Sequence, residues 1–308
     1  YLGVLLDENL NFTEHCNKLK IDIEKRLQAV RCISGSKFGG HPITLLNITK
    51  ALIFSKLYYG SIIYMGGIKI NINKINSLFN KSIKMAMGFT KNTPSEIIYS
   101  EAGLLPFSYQ IELLTIKFIL NICSNNNPYK SIIIDYLNLN SRFKKHKSFM
   151  HKILCKYKSD FEVLIAATDP LSSLSKFRDK LEQEWDREFV NLGLCKGQYY
   201  HSIIKKPKTC KEKLLKTLKG PEAKMAFRLR AGFTVKDYNG KYFCELCNNQ
   251  KNDFVHQIFY CPLNESNRLN LGDLGLIPPN NVNNLNLSEL KRLVNFIKEN
   301  SIKILRYY

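Results

Sequence analysis

Apolar residues recur every three or four positions through most of this chain, the period of an amphipathic helix. Cys16, Leu19, Ile23, Leu27 and Val30 form the first stripe, with Thr13 placed to cap it and Gly35, Gly39 and Gly40 to end it. Pro42 opens a second, with Leu45, Ile48, Leu52 and Tyr59 on one face and Gly60 at its close. A third carries Ile72, Ile75, Phe79, Ile83 and Ala86 and stops at Gly88. Thr93-Pro94-Ser95-Glu96 has the order of a capping box with Pro at the first helical position. After the turn 103–106, a further helix is expected on Ile111, Leu114, Phe118 and Cys123. The first dozen residues differ: Leu2 to Leu6, the turn residues Asp7-Glu8-Asn9, then Leu10 and Phe12 read as a short β-hairpin.

The run 124–128 (SNNNP) is the first linker and Asp169-Pro170 marks a second break. Leu174, Phe177, Leu181, Trp185 and Phe189 then make a strong helical stripe, read as core rather than a stacking platform. An Asn-rich loop at 280–287 precedes a last helix, capped by Ser288, on Leu290, Leu293 and Ile297. The expected fold is therefore mainly α. A hairpin and helical bundle occupy 1–123, a basic linker region 124–170, and a second helical domain 171–308.

Charge changes this picture. Among 308 residues there are 46 basic and 26 acidic, a net of +20, and residues 130–240 hold 24 basic against 12 acidic. Two stretches carry the excess. Residues 142–158 (RFKKHKSFMHKILCKYK), with Lys144 and Lys145, contain seven Lys or Arg and no acid. Residues 196–230, with Lys205, Lys206, Lys224, Arg228 and Arg230, contain eleven basic residues and two acids, interleaved with Tyr199, Tyr200, His201 and Phe227. A phosphate backbone is the commonest partner of such a surface, an anionic membrane the next, and a merely solvated face explains 142–158 equally well. Arg228 and Arg230 are the expected anchors, because guanidinium suits bidentate phosphate contact. Apolar runs are too short and interrupted for a membrane span, and no signal peptide is visible. Nine mostly scattered cysteines suit a reducing compartment, so a nuclear or cytoplasmic chain with no membrane partner is expected. The opening at Tyr1, inside the apolar run YLGVLLD, suggests a piece of something longer.

One cysteine cluster stands apart. Cys244, Cys247, His256 and Cys261 are spaced C-x2-C-x8-H-x4-C within 242–262. Three thiolates and an imidazole are a tetrahedral zinc set, and four protein ligands leave no open position, so the zinc expected in this small knuckle is structural. Asp253 is placed to cap a short helix bearing His256, and Pro262 closes the segment. The rival readings are a disulfide, or three buried cysteines with a core histidine.

Catalytic patterns are missing from the sequence. It holds no adjacent aspartate pair, no Gly-rich phosphate loop and no His-Glu-x-x-His. Asp135, Asp160, Glu162 and Asp169 are accounted for by capping and helix charge. His15 and Cys16 are neighbours on a helix and point apart, which argues against a dyad there. The residues alone describe a chain that holds nucleic acid, or a scaffold.

YLGVLLDENLNFTEHCNKLK resembles the segment directly after the polymerase palm in reverse transcriptases of non-LTR retrotransposons, especially jockey-like elements. TLLNITKALIFSKLYYGSIIY and NKSIKMAMGFTKNTPSEIIYSEAGLLPFSYQIELL continue the likeness in the same order. AFRLRAGFT followed by CELC…H…CP is similar to the tail of such elements. About two thirds of the chain is covered. The resemblance implies a primer-grip hairpin at Tyr1, Leu2 and Gly3, a thumb built around Lys50, Lys56 and Tyr59 that closes on a template–primer duplex, and a zinc tail facing RNA, target DNA or protein. It also implies an upstream palm domain as partner, holding the catalytic aspartates that this chain lacks. The interval between SEAGLLP and the Trp185 helix is too short for the RNase H domain that many jockey-like elements carry there, and no carboxylate set for one is evident. The expected function is the nucleic-acid-holding part of an RNA-directed DNA polymerase. The alternative is a zinc-dependent helical protein–protein adaptor.

Overall fold

The computed structural model describes residues 2–35, 39–123, 127–138, 148–165, 170–193, 217–231, 247, 259–269, 271 and 287–299. These are mainly helical, and no strand occurs among them. The order is α1 (Thr13–Ile33), α2 (Pro42–Thr49), a π turn (Lys50–Phe54), α3 (Ser55–Tyr58), α4 (Ser61–Tyr64), α5 (Lys69–Met87), α6 (Ser95–Ala102) and α7 (Phe107–Cys123). Then come α8 (Lys130–Asn138), α9 (Phe149–Lys156), α10 (Lys158–Ile165), a 3-10 turn (Pro170–Ser173), α11 (Leu174–Gly193) and α12 (Gly220–Arg230). A 3-10 turn (Pro262–Asn264) leads into α13 (Glu265–Leu269), and α14 (Leu287–Glu299) ends the described chain. No single helix among the described residues is long and apolar enough to cross a membrane.

The expected N-terminal hairpin is corrected. Residues 2–12 are turn and irregular backbone, because Leu2, Gly3, Leu10 and Phe12 have positive φ (47°, 83°, 51° and 56°), which no strand ladder accepts. Polar bonds hold the segment instead. The Asp7 carboxylate accepts the backbone N–H of Asn11 at 2.6 Å and of Thr13 at 3.1 Å, closing the loop onto the start of α1. Asn71 donates to the Asn11 carbonyl (3.0 Å) and to the Thr13 hydroxyl (2.9 Å), tying the same loop to α5. Thr13 is thus the first residue of α1 rather than its cap.

The chain divides into two compact units. The first comprises Tyr1–Arg26, Ala51–Phe79 and Leu105–Arg187. Its core runs through Cys16, Leu19 and Ile23 of α1, Ile75 and Phe79 of α5, Ile111, Ile116 and Ile119 of α7, and Phe177, Leu181 and Trp185 of α11. Rings link these layers: Phe54 meets Phe79 at 4.4 Å, Phe79 meets Phe107 at 5.1 Å, and Tyr157 stands edge-on to Phe177 at 5.3 Å. The second unit comprises Leu27–Lys50, Asn80–Leu104 and Glu188–Tyr308. Here α12 packs on α2 and α14, burying Ala223, Ala226 and Phe227, with Phe89 edge-on to Phe227 at 5.8 Å.

Three further expectations shift. The residues buried from α2 to α3 include Leu45, Thr49, Ile53 and Leu57, whereas Leu52 and Tyr59 are exposed. The π turn between them underwinds the helix and moves its buried face to every fourth residue. Phe118 of α7 is exposed, and the buried face lies one position on, at Ile119 and Leu120. The capping box at Thr93 does not form: the Thr93 hydroxyl bonds Thr90 at 3.0 Å, and α6 starts at Ser95 with no side-chain cap.

Candidate nucleic-acid interface

Five of the nine residues expected to meet phosphate lie among the described residues, and they divide by location. Lys144, Lys145, Lys205 and Lys206 lie outside them. In the first unit, Lys56 is half-buried on α3. It and Lys18 act on His15, whose basicity falls below the ordinary histidine value through burial first, then through these two lysines. His15 is buried against the Tyr64 ring at 5.3 Å, its Nδ1 accepts the Leu5 N–H at 3.4 Å, and its Nε2 has no hydrogen-bond partner. Lys18 is exposed, so this end of α1 carries a cationic edge over a neutral imidazole.

In the second unit Lys50 is exposed at the start of the π turn. The other three cations belong to α12. Its start is fixed by the Lys219 backbone N–H donating to the Glu222 carboxylate at 3.1 Å, half of a capping box. From that start the helix directs Lys224, Arg228 and Arg230 onto the ends of three other helices. Lys224 is 4% exposed, and its Nζ donates to the carbonyls of Ser34 (2.6 Å) and Gly35 (3.2 Å), just past the end of α1. Its stem lies over Gly88, where φ is +77° and an added Cβ would come within 2.7 Å of the lysine Cγ. Arg228 Nε donates to the Gly88 carbonyl at 2.5 Å, at the end of α5. Arg230 is 3% exposed and sends Nε (3.2 Å) and Nη2 (2.8 Å) to one oxygen of Glu101, in the last turn of α6.

Carbonyls at a helix C-terminus lack intrahelical donors and carry the negative end of the macrodipole. Lys224 and Arg228 meet that need for α1 and α5, and Arg230 holds α6 through a carboxylate. Burial, with Arg228 nearby, lowers the pKa of Lys224 to about 8, and burial lowers that of Arg228. Phosphate contact by Lys224 or Arg230 would require these bonds to break. The two cations sit inside the second unit, where their work is to join helices. Sequence reasoning missed this because the partners are remote: Ser34 and Glu101 lie 190 and 129 residues from theirs. The available signal was the crowding of α12, where Ala223, Ala226, Phe227 and Leu229 leave little of the helix for solvent.

Of the zinc candidates, Cys244 and His256 lie outside the described residues, Cys247 is half-buried, and Cys261 is fully buried. Cys261 heads the turn Pro262–Asn264, its carbonyl accepting Arg268 Nη1 at 2.7 Å and the Asn264 N–H at 3.1 Å. Among the described residues no three His, Cys, Asp or Glu side chains gather around a metal position. No protein-family model, curated protein or solved structure matches this chain.

Proposed function

We propose that this chain holds nucleic acid, as the C-terminal portion of an RNA-directed DNA polymerase of the jockey-like, non-LTR retrotransposon kind, next to a palm that supplies the chemistry. The observation that carries the reading is the charge on the helical scaffold. The net is +20, and Lys18, Lys25, Lys50 and Lys74 are exposed with no carboxylate partner among the described residues. Exposed cations on helices bind a duplex by its backbone, without reading its sequence. Polymerase chemistry needs carboxylates that clamp two metal ions, and the chain has no adjacent aspartate pair to begin one. Zinc belongs to the same proposal: Cys244, Cys247, His256 and Cys261 have the donor chemistry of a structural site, and the buried Cys261 thiol suits a ligand shielded from water.

The test is binding of a labelled RNA–DNA duplex over a range of salt, by fluorescence anisotropy. Affinity should fall steeply, with a slope of about 0.9 per phosphate neutralised. Changing Lys18 and Lys56 together to Gln should weaken binding alike for unrelated sequences and lower that slope. Salt-independent or absent binding would remove the reading. The adaptor alternative has one observation in its favour: the basic helix before the zinc motif buries two of its cations, as a scaffold would.

A further inference from the structure

Outside that interface, one pair of reactive side chains lies on α9. The Cys155 Sγ is 3.4 Å from the His151 Nε2, and the thiol is exposed. Four residues apart on a helix, the two share a face, which the neighbours His15 and Cys16 cannot. The Ser148 hydroxyl accepts the His151 backbone N–H at 3.2 Å, fixing the first turn and with it the imidazole's place. Lys152 lies three residues before Cys155 on the same face, and Lys158 starts α10 beyond the break at Tyr157, both exposed. Lys158 leans to Glu162 at 3.6 Å, while Lys152 makes no ion pair among the described residues.

We infer that Cys155 and His151 form a thiol-modification site that takes small anionic disulfides. The thiol proton passes to His151 Nε2, and the thiolate attacks one sulfur of the disulfide. A Cys155–sulfur bond forms, the disulfide bond breaks, and the departing thiolate takes the proton back from His151. The exchange consumes one disulfide and the Cys155 thiol and yields one mixed disulfide and one free small thiol, with no outside oxidant. Lys152 supplies the preference for negative charge.

Cys32 gives an internal reference, since it is exposed and has no hydrogen-bond partner among the described residues. The reduced full chain is treated with oxidised glutathione at neutral pH, and each site is followed by peptide mass spectrometry. Cys155 should react about tenfold faster than Cys32 or more, below the roughly hundredfold or greater gain of a fully positioned proton transfer. His151→Gln should bring Cys155 down to the Cys32 rate while leaving Cys32 unchanged, and an unchanged circular dichroism spectrum and urea midpoint report that the fold is intact. Equal rates at the two cysteines in the unaltered chain, or a Cys155 rate unmoved by His151→Gln, would overturn the site. Lys152→Gln should slow oxidised glutathione but not the neutral 2-hydroxyethyl disulfide. Equal slowing of both would overturn the charge preference.

Discussion

Removing one member of the Arg230–Glu101 pair should damage the fold more than removing both. The guanidinium places two nitrogens, at 2.8 and 3.2 Å, on one carboxylate oxygen, and the side chains are 3% and 0% exposed. Arg230→Met leaves a buried carboxylate without its cation, and Glu101→Leu leaves the reverse. Each should cost about 3–5 kcal/mol of unfolding free energy. The double variant removes both desolvation costs and fills the space with apolar atoms, so it should lie within about 1 kcal/mol of the unaltered chain or above it. The coupling from the complete cycle, the two single costs less that of the double, should therefore be at least about 5 kcal/mol. Arg230→Lys should fall between, because an ammonium cannot reproduce the two-pronged contact. Urea unfolding followed by circular dichroism measures all four. Costs below about 0.5 kcal/mol for Arg230→Met would mark a surface residue and refute the burial argument, and strictly additive costs would refute the pairing. The double variant also separates folding from binding. If Arg230 only joins helices, duplex affinity and salt slope survive in it; their loss would return Arg230 to the phosphate-binding surface.

Lys224 should leave a pH signature. Its folded pKa is about 8 against an ordinary 10.5, so below about 8 both states hold the proton, and from about 8 to 10.5 only the unfolded chain does. Stability should therefore rise with pH across that window. Urea midpoints of Lys224→Met subtracted from those of the unaltered chain isolate the effect, and a difference that stays level between about pH 7 and 10 would refute it. Asp7→Ala removes the carboxylate that closes the N-terminal loop on α1 and should cost about 0.5–2 kcal/mol, read from the same unfolding curves; no loss would show the loop to be held by other contacts. Metal analysis of the purified, reduced chain should give about one zinc per molecule, and Cys261→Ser should release it; a folded chain without metal would exclude the proposed site.

What the sequence made legible was periodicity. The α1 stripe is buried at all five expected positions, and Phe177, Leu181, Trp185 and Phe189 of α11 are buried as expected, because one uninterrupted 3.6-residue period governs each helix. Where a local contact changes the winding or outranks the pattern, the reading slips. The π turn displaces the face of α2, left-handed residues replace the hairpin, and the Thr90–Thr93 bond takes the hydroxyl a cap would have used. The candidate interface was legible as charge but not as direction. Nothing in AFRLRAGFT says which cation faces solvent, since that is decided by Ser34, Gly88 and Glu101 far away in sequence. His151 and Cys155 were legible as a four-residue spacing but lay inside a stretch read for its lysines.

The π turn Lys50–Phe54 makes helix length a coded quantity. An α-helix advances about 100° per residue, so four residues overshoot a full turn by about 40°. Leu45, Thr49, Ile53 and Leu57 stay buried at that spacing because the wide turn takes back part of the overshoot. Losing any one residue between 50 and 54 would let the turn tighten to α, and because five residues of the wide winding turn the chain about as far as four of α, the residues after it would keep their faces. Leu57 would stay in the core. The turn carries one residue more than a plain helix needs, so a single-codon deletion there is absorbed locally, whereas the same loss inside an uninterrupted helix such as α1 would turn every later side chain by about 100°.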